Sequence, residues 1–383
     1  MKAGFRKEST KFGCGILGII LLCLLSDLKA TLAPGAKPAL RVEDPVSSSS
    51  RDSVFQSPKI DWVRPGVNTN ALRWGIQGRL LWGLPPSSGK APDGPRGLIR
   101  LYYPVLTNGG YDLLNFIAIE PVVGGRKGFS ELEHSEFDDL AGKRLWPLPS
   151  DSVAPDAAAL PAGELTRLSS GVESLTVTVR VEPFLNGAHL TLTITQRSDT
   201  PDEIQLAIRA EPDSALMEYC ILTATMGNKA RTRRLWLKDE RVSSLELYPD
   251  YRGPDFTSHR IFYLDRLFQS PTGDILAAIT TNEANPSAAP PPPQALHWRY
   301  AGNPVTQYWR KPAGTWRPDL HVAVNGRYTY WMSRHPIPGG IAFENFEMRE
   351  RFYDGQQFNF GITRQSPDEL GFNAAVWREC SAG

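Results

Sequence analysis

Hydrophobic and polar residues alternate in short runs along most of the chain, beginning near Ile60. A two-residue period is the pattern of a β-strand that buries one face. In the clearest case, Leu175 to Glu182 is followed by Ala188 to Gln196, and the connection contains Asn186-Gly187, a dipeptide typical of a tight hairpin turn. Similar runs predict further strands over residues 72–84, 98–103, 113–123, 204–210, 219–225, 234–238, 260–268, 275–281 and 358–362.

These runs predict an all-β fold: one large, supersandwich-like antiparallel β-sandwich with very little helix, occupying residues 59–383. The 33 Gly and 32 Pro agree with this, because such a fold needs many turns. Two smaller sandwiches divided within residues 147–165 are the alternative. The Pro-rich run 285–294 cannot lie inside a central strand, so we expect an exposed loop there.

The N-terminal segment has the pattern of an export signal, with four cationic residues before residue 12 and an apolar run over 13–25. Thirteen helical residues rise only about 20 Å, which is short of the roughly 30 Å hydrocarbon core. A signal peptide over residues 1–30 is therefore favoured, and a membrane anchor formed by 13–25 is the alternative. Residues 31–58 are rich in Pro and Ser, as in a flexible linker. We expect a periplasmic, cell-surface or secreted protein.

Composition removes several functional classes. The formal net charge is +1, so the protein as a whole has no strong positive potential that would attract nucleic acid. The six His and four Cys form no local metal motif, so neither a metal nor another cofactor is expected. Without the first 30 residues only Cys220 and Cys380 remain, and the sequence leaves open whether they pair.

Two glutamates are candidates for proton transfer. Glu120 shares an alternating face with Phe116 and Ala118, and Glu344 shares one with Phe346 and Met348. A carboxylate on an apolar face either pairs with a cation or has a raised pKa, as acid/base catalysis requires. A glutamate that reaches water at a strand end is the simpler interpretation of Glu120.

The segment from His297 to Glu347 has the highest density of aromatic residues. Aromatic rings stack on sugar faces, while Arg and Asn bind hydroxyls and carboxylates, so the mixture favours a glycan-binding groove. Some of these rings are also needed to fill a sandwich core. His335 and Tyr308 are candidate bases, and strand alternation predicts that Arg327 and Trp331 lie side by side. The predicted binding residues are Trp298, Trp309, Arg310, Arg327, Trp331 and Asn345.

The sequence therefore predicts an exported carbohydrate-active protein with a polysaccharide or oligosaccharide ligand. A hydrolase would use two carboxylates, such as Glu344 and Glu120. A lyase acting on an acidic polysaccharide would use Arg310 or Arg327 to neutralise a uronate, with Tyr308 or His335 as the base. A non-catalytic glycan-binding module and a structural envelope or surface protein remain alternatives, so catalysis itself is left open.

Overall fold

The computed structural model describes residues 60–65, 72–85, 95–147, 163–225, 231–285, 302–331 and 333–373. All of these residues belong to one compact unit that covers positions 58–383. The leader, the linker, residues 286–294 of the Pro-rich run, Trp298 and Cys380 lie outside the described residues. The suggested division within 147–165 falls almost wholly on residues that are not described.

The described chain forms two large antiparallel sheets, and the prediction of an all-β fold is confirmed. Within the described ranges the first sheet has ten strands, in the order β1-β2-β3-β4-β5-β12-β20-β19-β15, with β6 beside β5. Its strands are β1 (Trp62–Val63), β2 (Leu72–Ile76), β3 (Leu81–Leu84), β4 (Ile99–Tyr103), β5 (Asp112–Val123), β6 (Arg126–Lys127), β12 (Tyr219–Thr225), β15 (Arg260–Tyr263), β19 (His321–Arg327) and β20 (Ala342–Arg349).

The second sheet has eleven strands among the described residues, in the order β14-β13-β17-β18-β21-β11-β10-β9-β7, with β16 beside β17 and β8 beside β9. Its strands are β7 (Leu145–Trp146), β8 (Glu164–Arg167), β9 (Glu173–Val181), β10 (Leu190–Arg197), β11 (Glu203–Ala210), β13 (Thr232–Trp236), β14 (Arg241–Ser243), β16 (Phe268–Gln269), β17 (Ile275–Thr281), β18 (Thr306–Lys311) and β21 (Gln356–Thr363). The predicted hairpin is present as β9 and β10.

Helix is confined, in the part of the chain that the structure describes, to the four-residue α1 (Ser244–Leu247) and the three-residue 3₁₀ turn Leu264–Arg266. No helix there is long enough to cross a bilayer.

The two sheets pack face to face around one continuous apolar core. Ile117, Leu222 and Phe346 enter this core from the ten-stranded sheet, and Leu206 and Phe360 enter it from the eleven-stranded sheet. Each of these five side chains is fully buried. The inner face of each sheet therefore provides stability, and the outer faces are available for other chemistry.

Strand β12 shows how one sequence serves both faces. Its alternate residues Cys220, Leu222 and Ala224 point into the core, and Thr223 and Thr225 point to the outer face of the ten-stranded sheet. Cys220 is a buried thiol without a disulfide partner among the described residues, and burial raises its pKa well above the usual range.

Candidate functional site

A cavity of about 350 Å³ lies on the outer face of the ten-stranded sheet. Strands β5, β12, β19 and β20 form its floor, and two chain segments cover it. We call it the carboxylate cavity. It is lined by Pro95, Leu98, Leu114, Phe116, Glu120, Lys127, Phe129, Glu131, Leu132, Thr223, Thr225, Phe256, Thr257, His259, Asn325, Trp331, Glu344 and Asn345.

The first covering segment, residues 124–142, follows β5 and folds back over the sheet. Its anchor is the buried Ser130, whose N–H donates to the Ile119 carbonyl at 3.1 Å and whose Oγ accepts from the Ile119 N–H at 2.9 Å. Further along, the buried Arg96 donates two hydrogen bonds to the Asp138 carboxylate, at 2.7 and 2.9 Å. These bonds hold Lys127, Phe129 and Glu131 over the floor.

The second covering segment, residues 249–259, precedes β15. The Thr257 N–H donates to the Gly326 carbonyl at 2.9 Å, and the Gly326 N–H donates to Thr257 Oγ1 at 2.8 Å. This pair of bonds fixes Phe256 and His259 at the other side of the cavity.

A β-bulge determines where the β20 glutamates point. Val324 pairs with Phe346 and Gly326 with Phe343, so Asn325 alone lies opposite both Glu344 and Asn345. The extra residue interrupts strict alternation. Phe343, Phe346 and Met348 therefore enter the core, while Glu344 and Asn345 line the cavity. The expectation that Glu344 shares a face with Phe346 and Met348 is wrong for this reason.

Glu344 is a buried carboxyl in the cavity wall and is 2% exposed. Burial raises its pKa to about 7, although the positive charge of Arg327 opposes the shift. A group with this pKa exists in both protonation states near neutral pH, which is what a general acid or base requires.

Glu120 belongs to a continuous polar network on the cavity floor. Its carboxylate pairs with Lys127 at 2.5 Å and accepts a hydrogen bond from the Thr223 hydroxyl. Glu347 Oε1 lies 3.1 Å from the same hydroxyl and 3.3 Å from Nε2 of His259. Thr223 thus connects the Glu120 and Glu347 carboxylates through one oxygen atom.

The two ends of this network have opposite proton affinities. Burial raises the pKa of Glu120, and the negative charge of Glu347 adds to the increase while Lys127 opposes it. Burial alone would also raise the pKa of Glu347, but the His259 hydrogen bond and the cations Arg349 and Lys127 outweigh it and lower the value to about 2. Glu120 therefore binds a proton more readily than Glu347 does.

Glu131 adds a third carboxyl to the lining. Burial raises its pKa to about 7, and the negative charge of Glu120 contributes to the increase. Its Oε2 is buried without a hydrogen-bond partner among the described residues. The cavity thus contains three carboxyls whose pKa values are raised by burial, a perturbation that is frequent at sites of proton transfer.

Aromatic rings form much of the remaining wall, namely those of Phe116, Phe129, Phe256 and Trp331. The amides of Asn325 and Asn345 and the hydroxyls of Thr223 and Thr225 lie among them. The cavity can therefore offer apolar ring faces and hydrogen-bonding groups to the same ligand.

Some residues predicted from sequence meet here. Glu120, Glu344, Asn345 and Trp331 all line the carboxylate cavity. Arg327 lies beside it with its guanidinium carbon 4.8 Å from the Trp331 ring centre, but the arginine is 4% exposed rather than on the surface.

Other predicted residues lie elsewhere. Trp309 is in the sandwich core, where its indole N–H donates to the Phe346 carbonyl at 2.8 Å. Tyr308 and Arg310 are on β18, and alternation with the core residue Trp309 turns both to the outer face of the eleven-stranded sheet, away from the cavity. Arg310 is paired there with Glu203 and Asp274. His335 is half-buried in the turn between β19 and β20 and does not line the cavity.

Sequence reasoning missed Lys127, Thr223, Phe256 and His259. They lie on three separate parts of the chain, namely β6, β12 and the second covering segment, and strand alternation cannot reveal which covering segment folds over which face. Sequence reasoning also missed Glu131, which lies in the first covering segment. Among the described residues, no group of three or more His, Cys, Asp or Glu side chains could hold a metal ion.

The chain was also compared with known proteins. No family model, curated protein or solved structure matches it.

Proposed function

We propose that the protein is an exported glycoside hydrolase whose carboxylate cavity binds one end of a saccharide chain. The observation that carries this proposal is the meeting of Glu344, Glu120, Trp331 and Asn345 in one covered cavity. Aromatic faces beside amide and carboxyl groups suit a sugar ring, whose faces are C–H-rich and whose rim carries hydroxyls. A volume of about 350 Å³ accommodates a chain end better than a long internal stretch.

Ion pairing, rather than the direction of the pKa shift, distinguishes the roles of the two glutamates. Glu344 has a pKa of about 7 and no cation bound directly to it among the described residues, so it is suited to protonate the glycosidic oxygen. Glu120, paired with Lys127 and hydrogen-bonded to Thr223, would activate water as the base. The Lys127 ammonium would stabilise the Glu120 carboxylate while the proton is absent.

The strand register supports inversion of configuration over retention. Ile221 of β12 pairs with Glu120, and Thr225 of β12 pairs with Asn345, the neighbour of Glu344. Asn345 is therefore displaced from Glu120 by about 13 Å along the strands, and Glu344 lies one residue further on, with β12 between the two glutamates. Even with converging side chains, this spacing leaves room for a water molecule. A retaining enzyme would need carboxyl groups only about 5 to 5.5 Å apart.

The placement of the two predicted bases, Tyr308 and His335, favours hydrolysis over the lyase alternative. Tyr308 lies on the outer face of the eleven-stranded sheet and His335 lies in the turn between β19 and β20, so neither lines the carboxylate cavity.

The test uses purified protein and a panel of polysaccharides and oligosaccharides. Activity is measured by reducing-end release, and unsaturated uronate is monitored by absorbance to detect a lyase. Glu344→Gln and Glu120→Gln should each lower the rate by about 10²- to 10⁴-fold, whereas Glu240→Gln, on the surface beside Arg266, should not. Anomer analysis by NMR should show inversion.

Three outcomes would contradict the proposal. Full activity in Glu344→Gln would remove its assigned acid, and release of unsaturated uronate would establish a lyase. Binding of a glycan without cleavage of any substrate in the panel would establish a non-catalytic binding module.

Export is tested separately by N-terminal sequencing and fractionation of the mature protein. We expect a new N-terminus near residue 30. An intact N-terminus in the membrane fraction would instead support an anchor formed by residues 13–25.

A further inference from the structure

A second cavity, of about 450 Å³, adjoins the carboxylate cavity. Phe256 and Trp331 line both, so these two rings separate the cavities. We call the second one the arginine pocket. It is lined by Pro254, Asp255, Phe256, Arg327, Trp331, Ser333 and Arg334.

Arg327 is the central feature of the arginine pocket. Its guanidinium carbon lies 4.8 Å from the centre of the Trp331 ring and 5.2 Å from that of Phe256. Its Nη2 donates to the carbonyls of Pro254 and Tyr330, at 3.3 and 3.2 Å. The Nε and Nη1 atoms are buried and have no hydrogen-bond partner within the described ranges. A buried cation with unused donors is costly unless a ligand supplies the acceptors.

The charges around Arg327 favour an anion. Arg334 is exposed at the same pocket, and Asp255 provides one opposing carboxylate, which leaves a net positive lining. Across the two aromatic rings, the lining of the carboxylate cavity contains three carboxyls, Glu120, Glu131 and Glu344, and one lysine, Lys127, which is already paired with Glu120. An anionic group would be repelled there and attracted on the arginine side.

From this juxtaposition we infer that the arginine pocket is a subsite for an anionic substituent of the saccharide. The substituent is a carboxylate or a sulfate ester, and a neutral ring of the same saccharide occupies the carboxylate cavity. This inference rests on the proposed function and narrows its substrates to acidic saccharides. Arg327 provides charge-assisted hydrogen bonds, Arg334 adds long-range attraction, and Trp331 stacks on the sugar between the two cavities.

Binding is measured by calorimetry with three galactose-based tetrasaccharides: one that contains a single galacturonate residue, one that carries a single sulfate ester and one that is neutral. At low salt the wild-type protein should bind at least one anionic oligomer roughly tenfold or more tightly than the neutral one. Sodium sulfate alone should compete with the anionic oligomers. The preferred oligomer distinguishes a carboxylate from a sulfate ester.

Two arginine variants test whether the arginine pocket causes the preference for anionic oligomers. Arg327→Lys should reduce the affinity for the anionic oligomer about tenfold, because an ammonium cannot reproduce the planar donor set. Arg334→Gln should reduce it only about two- to fivefold, since this residue is exposed. Neither change should alter binding of the neutral oligomer. Arg167→Gln, on an exposed edge strand of the eleven-stranded sheet, is the matched control and should have no effect.

The results separate the two proposals. The anionic subsite would be overturned if the wild-type protein bound neutral and anionic oligomers with equal affinity. It would also be overturned if the arginine variants lost affinity equally for both, even if Glu344-dependent hydrolysis is observed. Arginine-dependent binding without cleavage would support the subsite and overturn the hydrolase. If Arg327→Lys unfolds, Arg334→Gln still decides, and an unchanged preference in that variant would contradict the inference.

Discussion

The Lys127 ammonium lies 2.5 Å from the Glu120 carboxylate, although the two residues belong to different strands and Glu120 is 3% exposed. Lys127 comes from the segment that folds back over the ten-stranded sheet. The ion pair therefore joins that segment to the floor of the carboxylate cavity, and its strength depends on the charge of Glu120.

Replacing this lysine should destabilise the protein in a pH-dependent way. In Lys127→Met, the cation that opposes the burial effect on Glu120 is absent, so the pKa of Glu120 should rise further. We expect the free energy of unfolding to fall by about 1–3 kcal/mol at pH 8, where an unpaired carboxylate would be buried. The loss should be smaller at pH 4, where Glu120 is protonated in both proteins. Urea denaturation at pH 4 and pH 8 measures the free energy of unfolding, with Lys127→Arg as the control. An equal loss of stability at the two pH values would contradict the prediction.

Glu344→Gln should stabilise the protein at alkaline pH. The pKa of Glu344 is about 7 in the folded state and 4.5 in the reference state, so the folded protein binds the extra proton between these values. Ionisation of Glu344 should consequently lower the free energy of unfolding of the wild-type protein by roughly 3 kcal/mol as the pH rises from 4 to 8. Gln mimics the protonated acid and should remove that part of the decrease.

Denaturation at pH 4, 6 and 8 checks the Glu344 prediction. The variant should match wild type at pH 4 and exceed its stability at pH 8. Glu240→Gln serves as the surface control, for which a change of about 0.5 kcal/mol or less is expected at each pH. A constant difference between Glu344→Gln and wild type across the range would contradict the prediction.

Substitutions at Trp309 and Trp331 should have different effects: the first should lower stability and the second should weaken saccharide binding. Trp309→Phe removes the hydrogen bond to the Phe346 carbonyl and leaves a void in the core, which should cost about 2–4 kcal/mol. Saccharide affinity should not change. Trp331→Leu should cost about 1 kcal/mol or less but weaken saccharide binding, because its ring lines both cavities. Denaturation and calorimetry on both variants test this contrast, and the opposite pattern would contradict it.

Gly361 should not tolerate a side chain while Tyr308 is its neighbour. The two residues are directly paired on β21 and β18, and a Cβ added at Gly361 would overlap the Tyr308 ring. Gly361→Ala should therefore destabilise the protein by about 1–3 kcal/mol. The double variant Gly361→Ala with Tyr308→Val should lose less stability than the sum of the single losses. Strict additivity in this double-mutant cycle would show that the ring does not cause the effect.

Local patterns predicted the strands well because each strand depends mainly on its own alternation. The hairpin β9–β10 and the strand Tyr219–Thr225 follow directly from the order of apolar and polar residues. Glu120 also faces the side that its spacing from Phe116 and Ala118 predicts.

Alternation failed where the backbone departs from it. The bulge opposite Asn325 adds one residue to β20, and this residue turns Glu344 and Glu347 to the same face. Sequence separation hid the remaining contacts: His259 is 88 residues from Glu347, and Thr223 is 103 residues from Glu120. Such contacts depend on strand order and on the path of covering segments, which no local pattern determines.

The division of β12 between two faces has a consequence for genetic experiments. Codons 220, 222 and 224 specify core residues, while codons 223 and 225 specify groups that line the carboxylate cavity. Saturation mutagenesis of this strand should consequently give phenotypes that alternate from codon to codon. Substitutions at the even codons should reduce the amount of protein in the cell, whereas substitutions at 223 and 225 should act mainly on the hydrolysis that we propose for the carboxylate cavity.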